Sequence, residues 1–178
     1  LGCNPETAET ILWESRFVFL GVKPQMMAGL AKKLAGDIAG SDAIFVSMLA
    51  GTSLDRLAEL LGAEKKIIRI MPNTPCAVGK GLTLVSANSR VTAEELADFK
   101  ALMAESGLLH DLPEHLIDAA SAVSGCGPAY AYMFVEALAD GAVKCGVPRA
   151  KAIRYAAQML LGSAELVLES GEHPGALK

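Results

Sequence analysis

The sequence predicts an α/β layer on a parallel sheet followed by an all-α half, and two observations carry that reading. Through residues 16–111, short apolar runs rich in β-branched residues alternate with amphipathic stretches. That is the pattern of strands buried on both faces and joined by helices. Beyond residue 112 strand signals stop, and Pro113, Pro128 and Pro148 each open an apolar stretch that ends near a glycine. Proline at a helix start and glycine past its end mark three helices with tight joints.

Taken in order, "RFVFLGV" (16–22) is a strand followed by the helix "MMAGLAKKLAG", and "AIFVSML" (43–49) is a strand followed by "SLDRLAELLG". "KIIRIM" (66–71) is a third strand leading into a turn, and "LTLVSA" and "GLLHDL" are further strands. Between those two, "TAEELADFKALMAES" reads as a helix with Thr92 at its N-cap and Glu95 three residues on, a capping box. The α-half contains helices from Pro113 to about Val123, from Pro128 to near Gly146 and from Pro148 to near Gly171. A last short helix is expected from His173. In the helix from Pro128, Glu136, Asp140 and Lys144 form one thin charged line. A helix otherwise apolar all round must be buried, which calls for a second copy of the chain. The opening "LGCNPETAET" is assigned no element. It has neither Met nor the order of a leader peptide and reads as a cut end.

The chain has 178 residues, 52% hydrophobic but only 5% aromatic, so its core is built from Ala, Val, Ile, Leu and Met. A net charge of −4 and no basic run longer than "KK" argue against a nucleic-acid partner. No stretch of about 18 residues is apolar and free of charge, Pro and Gly, so no membrane partner is expected. Four cysteines and three histidines are scattered without CxxC or an i,i+4 histidine pair, so no metal site is expected. The thiols read as reduced and the location as cytoplasmic, with disulfides the alternative.

Chemistry is expected where the first three strands end, because ligands of open parallel sheets bind outside the carboxyl ends of the strands. The loops are "GVKPQ" (21–25), "MLAGTS" (48–53) and "MPNTPCAVGKG" (71–81). Pro24, Pro72 and Pro75 hold the preceding residues extended, and Gly21 and Gly51 permit close approach of a ligand. Asn73 and Thr74 present an amide and a hydroxyl between two prolines. Plain turn chemistry is the alternative for each loop taken singly. Lys23 reads as a cofactor contact or a solvated lysine, Cys76 as a packing residue, and His110 and His115 as surface or interface residues. Glu172 reads as a helix cap or as a polar group near a substrate. Cys126, in "VSGCGPAYAYM" (123–133), has two readings: a thiol activated by a helix N-terminus, or a small residue in a glycine turn. Nucleophilic use needs a base within reach, and no histidine is near in sequence.

"VKPQ", "MPNTP", "SGCGPAYAYMFVEALADGAV" and "ESGEHPGALK", in this order and spacing, resemble the pyrroline-5-carboxylate reductase family over essentially the whole chain. The resemblance implies a partial NAD(P)-binding Rossmann-like domain over 1–112 and a partial helical dimerisation and substrate domain over 113–178. The implied reaction is hydride transfer from NADPH, with NADH possible, to 1-pyrroline-5-carboxylate. The product is L-proline, in the last step of proline biosynthesis. It implies cofactor contacts at Gly21, Val22, Lys23 and Pro24, at Met48, Leu49 and Ala50, and at Asn73 and Thr74 near the nicotinamide. Glu114 and Glu172 carry over as polar groups near cofactor or substrate. Glu172 is the single candidate for a catalytic role, and catalysis is expected mainly by positioning. The implied partners are the small-molecule substrate and the chain itself, as a homodimer or a ring of dimers.

The family pattern begins with a strand and a GxGxxG-type turn and continues past "HPGALK" into a Ser-Pro-Gly-Gly-Thr loop. The chain contains neither. It therefore reads as an internal fragment, and the 178-residue polypeptide alone is expected to lack turnover and to bind cofactor poorly. Where the family's turn usually carries Ser, this chain has Cys126. Two other readings remain: a non-catalytic relative serving as an assembly module, and an NAD(P)-dependent dehydrogenase of another small acid.

Overall fold

A computed structural model describes residues 5–178. They form two compact units, one ending at Cys126 and one starting at Gly127.

The first unit is built on five strands in the spatial order of the chain: β1 (Phe17–Leu20), β2 (Ile44–Ser47), β3 (Ile67–Met71), β4 (Gly81–Ala87) and β5 (Gly107–Asp111). β1, β2 and β3 are mutually parallel, as are β4 and β5. The expectation of a parallel sheet needs one correction, because β3 and β4 are antiparallel. Their connection holds a single 3₁₀ turn, Thr74–Val78, and is too short for the crossover helix that a parallel pair requires.

Helices α2 (Pro24–Lys33), α3 (Ala35–Gly40) and α4 (Leu54–Leu61) form the crossovers. Met27, Ala31, Leu34, Ile38, Leu57 and Leu61 pack with Val18, Leu20, Phe45 and Ile67 on one face of the sheet. On the other face α5 (Ala93–Met103) sets Phe99 against Ile44, Val46, Ile68, Ile70 and Val85. Full burial of each large apolar side chain contributes about 1.5–3 kcal/mol, so the sheet is held from both sides. The capping box of α5 forms as read: Glu95 N–H donates to Thr92 Oγ1 at 3.2 Å, and Thr92 N–H to Glu95 Oε2 at 2.9 Å.

Three local expectations are corrected. "MMAGLAKKLAG" is two helices, because the backbone leaves helical geometry at Leu34 (φ −103°, ψ 17°). The opening segment contains a helix, α1 (Ala8–Glu14), capped by Thr7 and docked where Trp13 donates to Asp37 Oδ1 at 3.2 Å. Residues 1–4, including Cys3, lie outside the described residues. No helix forms at His173, where Pro174–Ala176 make only a turn.

α6 (Glu114–Ser124) packs against β4 and belongs to the first unit. The second unit is the antiparallel pair α7 (Gly127–Lys144) and α8 (Arg149–Ser170), closed around Ala139, Ala152 and Ala156 and tied by Arg149 to Asp140. Pro113 and Pro148 occupy N-cap positions rather than the first helical turn. α7 exposes Tyr130, Tyr132, Met133 and Phe134, each at least half accessible. No helix among the described residues is long and apolar enough to cross a membrane.

Candidate active site

The parallel register sets Leu20 beside Ser47 and Ser47 beside Arg69, so the chain leaves β1, β2 and β3 at one edge of the sheet. The first two loops touch: Met48 N–H donates to Leu20 O at 3.4 Å, and a Cβ on Gly21 would meet Met48 Cε at 3.4 Å. Gly21, Met48 and Ala50 are exposed and Val22 is half-buried, whereas Leu49 is 1% exposed and lies in the core. Leu49 therefore offers a ligand only its backbone. Gly51 adopts φ +67° with open space around its Cα, the conformation that favours glycine.

Lys23 is extended (φ −68°, ψ 145°) and exposed, Pro24 opens α2, and no side chain caps that helix. An uncapped helix start beside an ammonium group attracts an anion such as a phosphate. α4, in contrast, is closed by Ser53, whose Oγ accepts from Arg56 N–H at 3.2 Å.

Beneath these loops lies a polar cluster of which the sequence reading named only Glu114. Arg69, 2% exposed, sits in register between Ser47 and Ser86 on an otherwise apolar strand. It donates to Glu114 Oε1 at 3.2 Å and to Asp118 Oδ1 at 2.6 Å. The same Glu114 oxygen accepts from Leu54 N–H, the first amide of α4, at 2.6 Å. Glu114 is thus a tie between α6, β3 and α4. The signal available in the sequence was an arginine within "KIIRIM", since a charged group inside a buried strand needs buried partners.

Asn73 is also engaged. Its Nδ2 donates to Ser124 O at 3.0 Å, and its Oδ1 accepts from Leu82 N–H at 2.9 Å. Thr74 is exposed at the start of the 3₁₀ turn. Cys76 packs over Gly81, where a Cβ would fall 2.1 Å from its Sγ, in keeping with a packing role.

Gly125 and Cys126 follow α6, and the Cys126 amide donates to Ser121 O at 3.2 Å. The Cys126 thiol is exposed and makes no hydrogen bond among the described residues. Gly125 keeps helical dihedrals, and a Cβ there would lie 2.9 Å from Ser121 O. Close packing rather than a left-handed turn accounts for this glycine. Glu172, in the second unit, is exposed just after Gly171, which ends α8 at φ +66°.

Residues 114–178 match the family model described as pyrroline-5-carboxylate reductase dimerisation. The chain is 44% identical over 173 residues to the pyrroline-5-carboxylate reductase of Escherichia coli, a match covering 97% of this chain and 64% of the relative. It is similar to the crystal structure of Plasmodium falciparum pyrroline carboxylate reductase with NADP bound, with a TM-score of 0.88, 30% identity, and coverage of 97% of this chain and 65% of that one. The Streptococcus pyogenes 1-pyrroline-5-carboxylate reductase structure matches with a TM-score of 0.86 and 34% identity over 95% of this chain and 63% of that one. The chain therefore spans less than two thirds of the length of these relatives.

Proposed function

Because the chain is 44% identical to the pyrroline-5-carboxylate reductase of Escherichia coli, we propose that it forms the greater part of an enzyme reducing 1-pyrroline-5-carboxylate to L-proline with NADPH, or with NADH. The observation that carries this reading is the adjacency of the three loops at the carboxyl edge of β1–β3, with Lys23 and the uncapped start of α2 open to an anion. Those residues fit a dinucleotide phosphate. The chemistry supplied by the bound cofactor is a hydride, delivered to the C=N carbon while a proton joins the nitrogen.

Lys23, at the start of α2, would hold phosphate charge, Gly21, Val22 and Pro24 would shape that pocket, and Met48, Leu49 (by its backbone) and Ala50 would line the cofactor. Asn73 and Thr74 would lie toward the nicotinamide end, where Asn73 shapes the loop through the bonds it already makes within the protein. Glu172 remains the candidate polar group near the substrate. Glu114 acts at the site's base. In this reading residues 1–112 make up the cofactor half and 113–178 the dimerisation and substrate half, although α6, which opens the latter, packs on β4 within the first unit.

The apolar side chains exposed on α7 support a homodimer or a ring of dimers, since patches of this kind mark interfaces. The free thiols of Cys76, Cys126 and Cys145 accord with a cytoplasmic setting. The 178-residue polypeptide alone is expected to bind cofactor poorly and to show no turnover.

Titrating NADPH into the full-length protein tests the cofactor assignment. Lys23→Ala should weaken binding by about tenfold, the size of a lost charge-assisted contact of roughly 1.4 kcal/mol. Unchanged affinity would remove Lys23 from the site.

A further inference from the structure

Arg69 is a cation enclosed in the sheet, and its environment is built for it. It is 2% exposed, its register neighbours are Ser47 and Ser86, and both of its bonded partners, Glu114 and Asp118, come from α6. Its Nε has no partner among the described residues. A polar arrangement of this kind is costly in a core, and an apolar residue at position 69 would avoid the cost. The two carboxylates are not equivalent. The Asp118 carboxylate is exposed and bonds only the guanidinium, whereas Glu114 passes the contact on to Leu54 N–H at 2.6 Å. Leu54 is the first residue of α4, and the chain immediately before it is the Met48–Ser53 loop. Two residues beyond Arg69, β3 ends at Met71 and the Asn73–Thr74 loop follows.

We propose that Arg69 is a positioning residue for the cofactor cleft, acting through Glu114 to fix the start of α4 and hence the loop after β2. Arg69 holds the Glu114 carboxylate in one rotamer. Glu114 then fixes a main-chain amide that Ser53, bonded to Arg56 N–H, does not satisfy. Displacing a positioning loop by about 1 Å is enough to cost orders of magnitude in rate. The inference rests on the cofactor reading above, which places Met48–Ala50 against the dinucleotide.

The test compares Glu114→Ala, Glu114→Gln and Asp118→Asn in the full-length protein, with NADPH affinity by fluorescence titration and thermal midpoint measured for each. Glu114→Ala should raise the Kd for NADPH about tenfold. Glu114→Gln keeps an oxygen for Leu54 N–H and should restore affinity to within about threefold. Asp118→Asn should leave affinity unchanged, because it touches Arg69 and not α4. Glu114→Ala lowering the midpoint while leaving NADPH affinity at the Asp118→Asn value would make the cluster merely structural and overturn the proposal. Equal losses in Glu114→Ala and Glu114→Gln would also overturn it. If the parent protein itself fails to bind NADPH, the cofactor reading fails instead, and the proposal with it.

Discussion

Asn73 Nδ2 donates to the carbonyl of Ser124 at 3.0 Å, joining the loop after β3 to the last residue of α6. Its Oδ1 is occupied by Leu82 N–H, so one side chain ties three segments around the site. Asn73→Ala would leave a buried carbonyl and an amide unpaired, at about 1–3 kcal/mol. Urea unfolding should show that loss, and Asn73→Asp should be damaging too, because it sets a carboxylate oxygen against the Ser124 carbonyl. A variant as stable as the parent would remove Asn73 from this role.

Gly107 begins β5 at φ +123°, and a Cβ there would lie 2.3 Å from Gly81 O. Gly107→Ala combines backbone strain with a clash against main chain and should cost about 1–3 kcal/mol or more. Gly29, inside α2 with nothing within 4 Å of its would-be Cβ, is the contrast. Gly29→Ala should stabilise by about 0.5–1 kcal/mol. Thermal unfolding of the two variants should move in opposite directions.

Cys126→Ser should leave kcat/KM of the full-length protein within about threefold, since the exposed thiol has no bonded base. A loss above about tenfold, or roughly 1.4 kcal/mol of barrier, would revive a chemical role for the sulfur.

Glu95 links α5 to the start of β3. The Lys66 ammonium bonded to it, and then the Thr92 amide, hold its carboxyl below the ordinary carboxylate range. A carboxyl with a depressed folded-state pKa contributes stability that is fully present above its unfolded value of about 4.3. That stability is lost as pH falls through the lower folded value. Glu95→Gln should therefore lose about 0.5 kcal/mol at neutral pH and should match the parent in strong acid. An offset independent of pH would contradict the assignment.

Much of the fold was legible because local patterns encode it. "AIFVSML" and "KIIRIM" have no reading but buried strands, and Thr92 with Glu95 marks a helix start without tertiary information. The antiparallel turn of β4 was legible only in the shortness of its connection. α1 was missed because its single buried residue, Leu12, leaves almost no periodic signal, and its docking through Trp13 is a long-range event.

The three candidate loops were legible from their glycines and prolines. The roles of Asn73 and Glu114 were not, because their partners stand 51 and 60 residues away in Ser124 and Leu54. Arg69 was visible as a misfit in an apolar strand, yet its meaning depended on carboxylates from a helix 45 residues on.

The proposed reaction is decided by following NADPH oxidation by the full-length protein on addition of 1-pyrroline-5-carboxylate, with proline measured as product. Substrate-dependent oxidation is expected, with one proline formed per NADPH consumed. NADPH consumption without proline, or no consumption by a folded protein that binds NADPH, would contradict it.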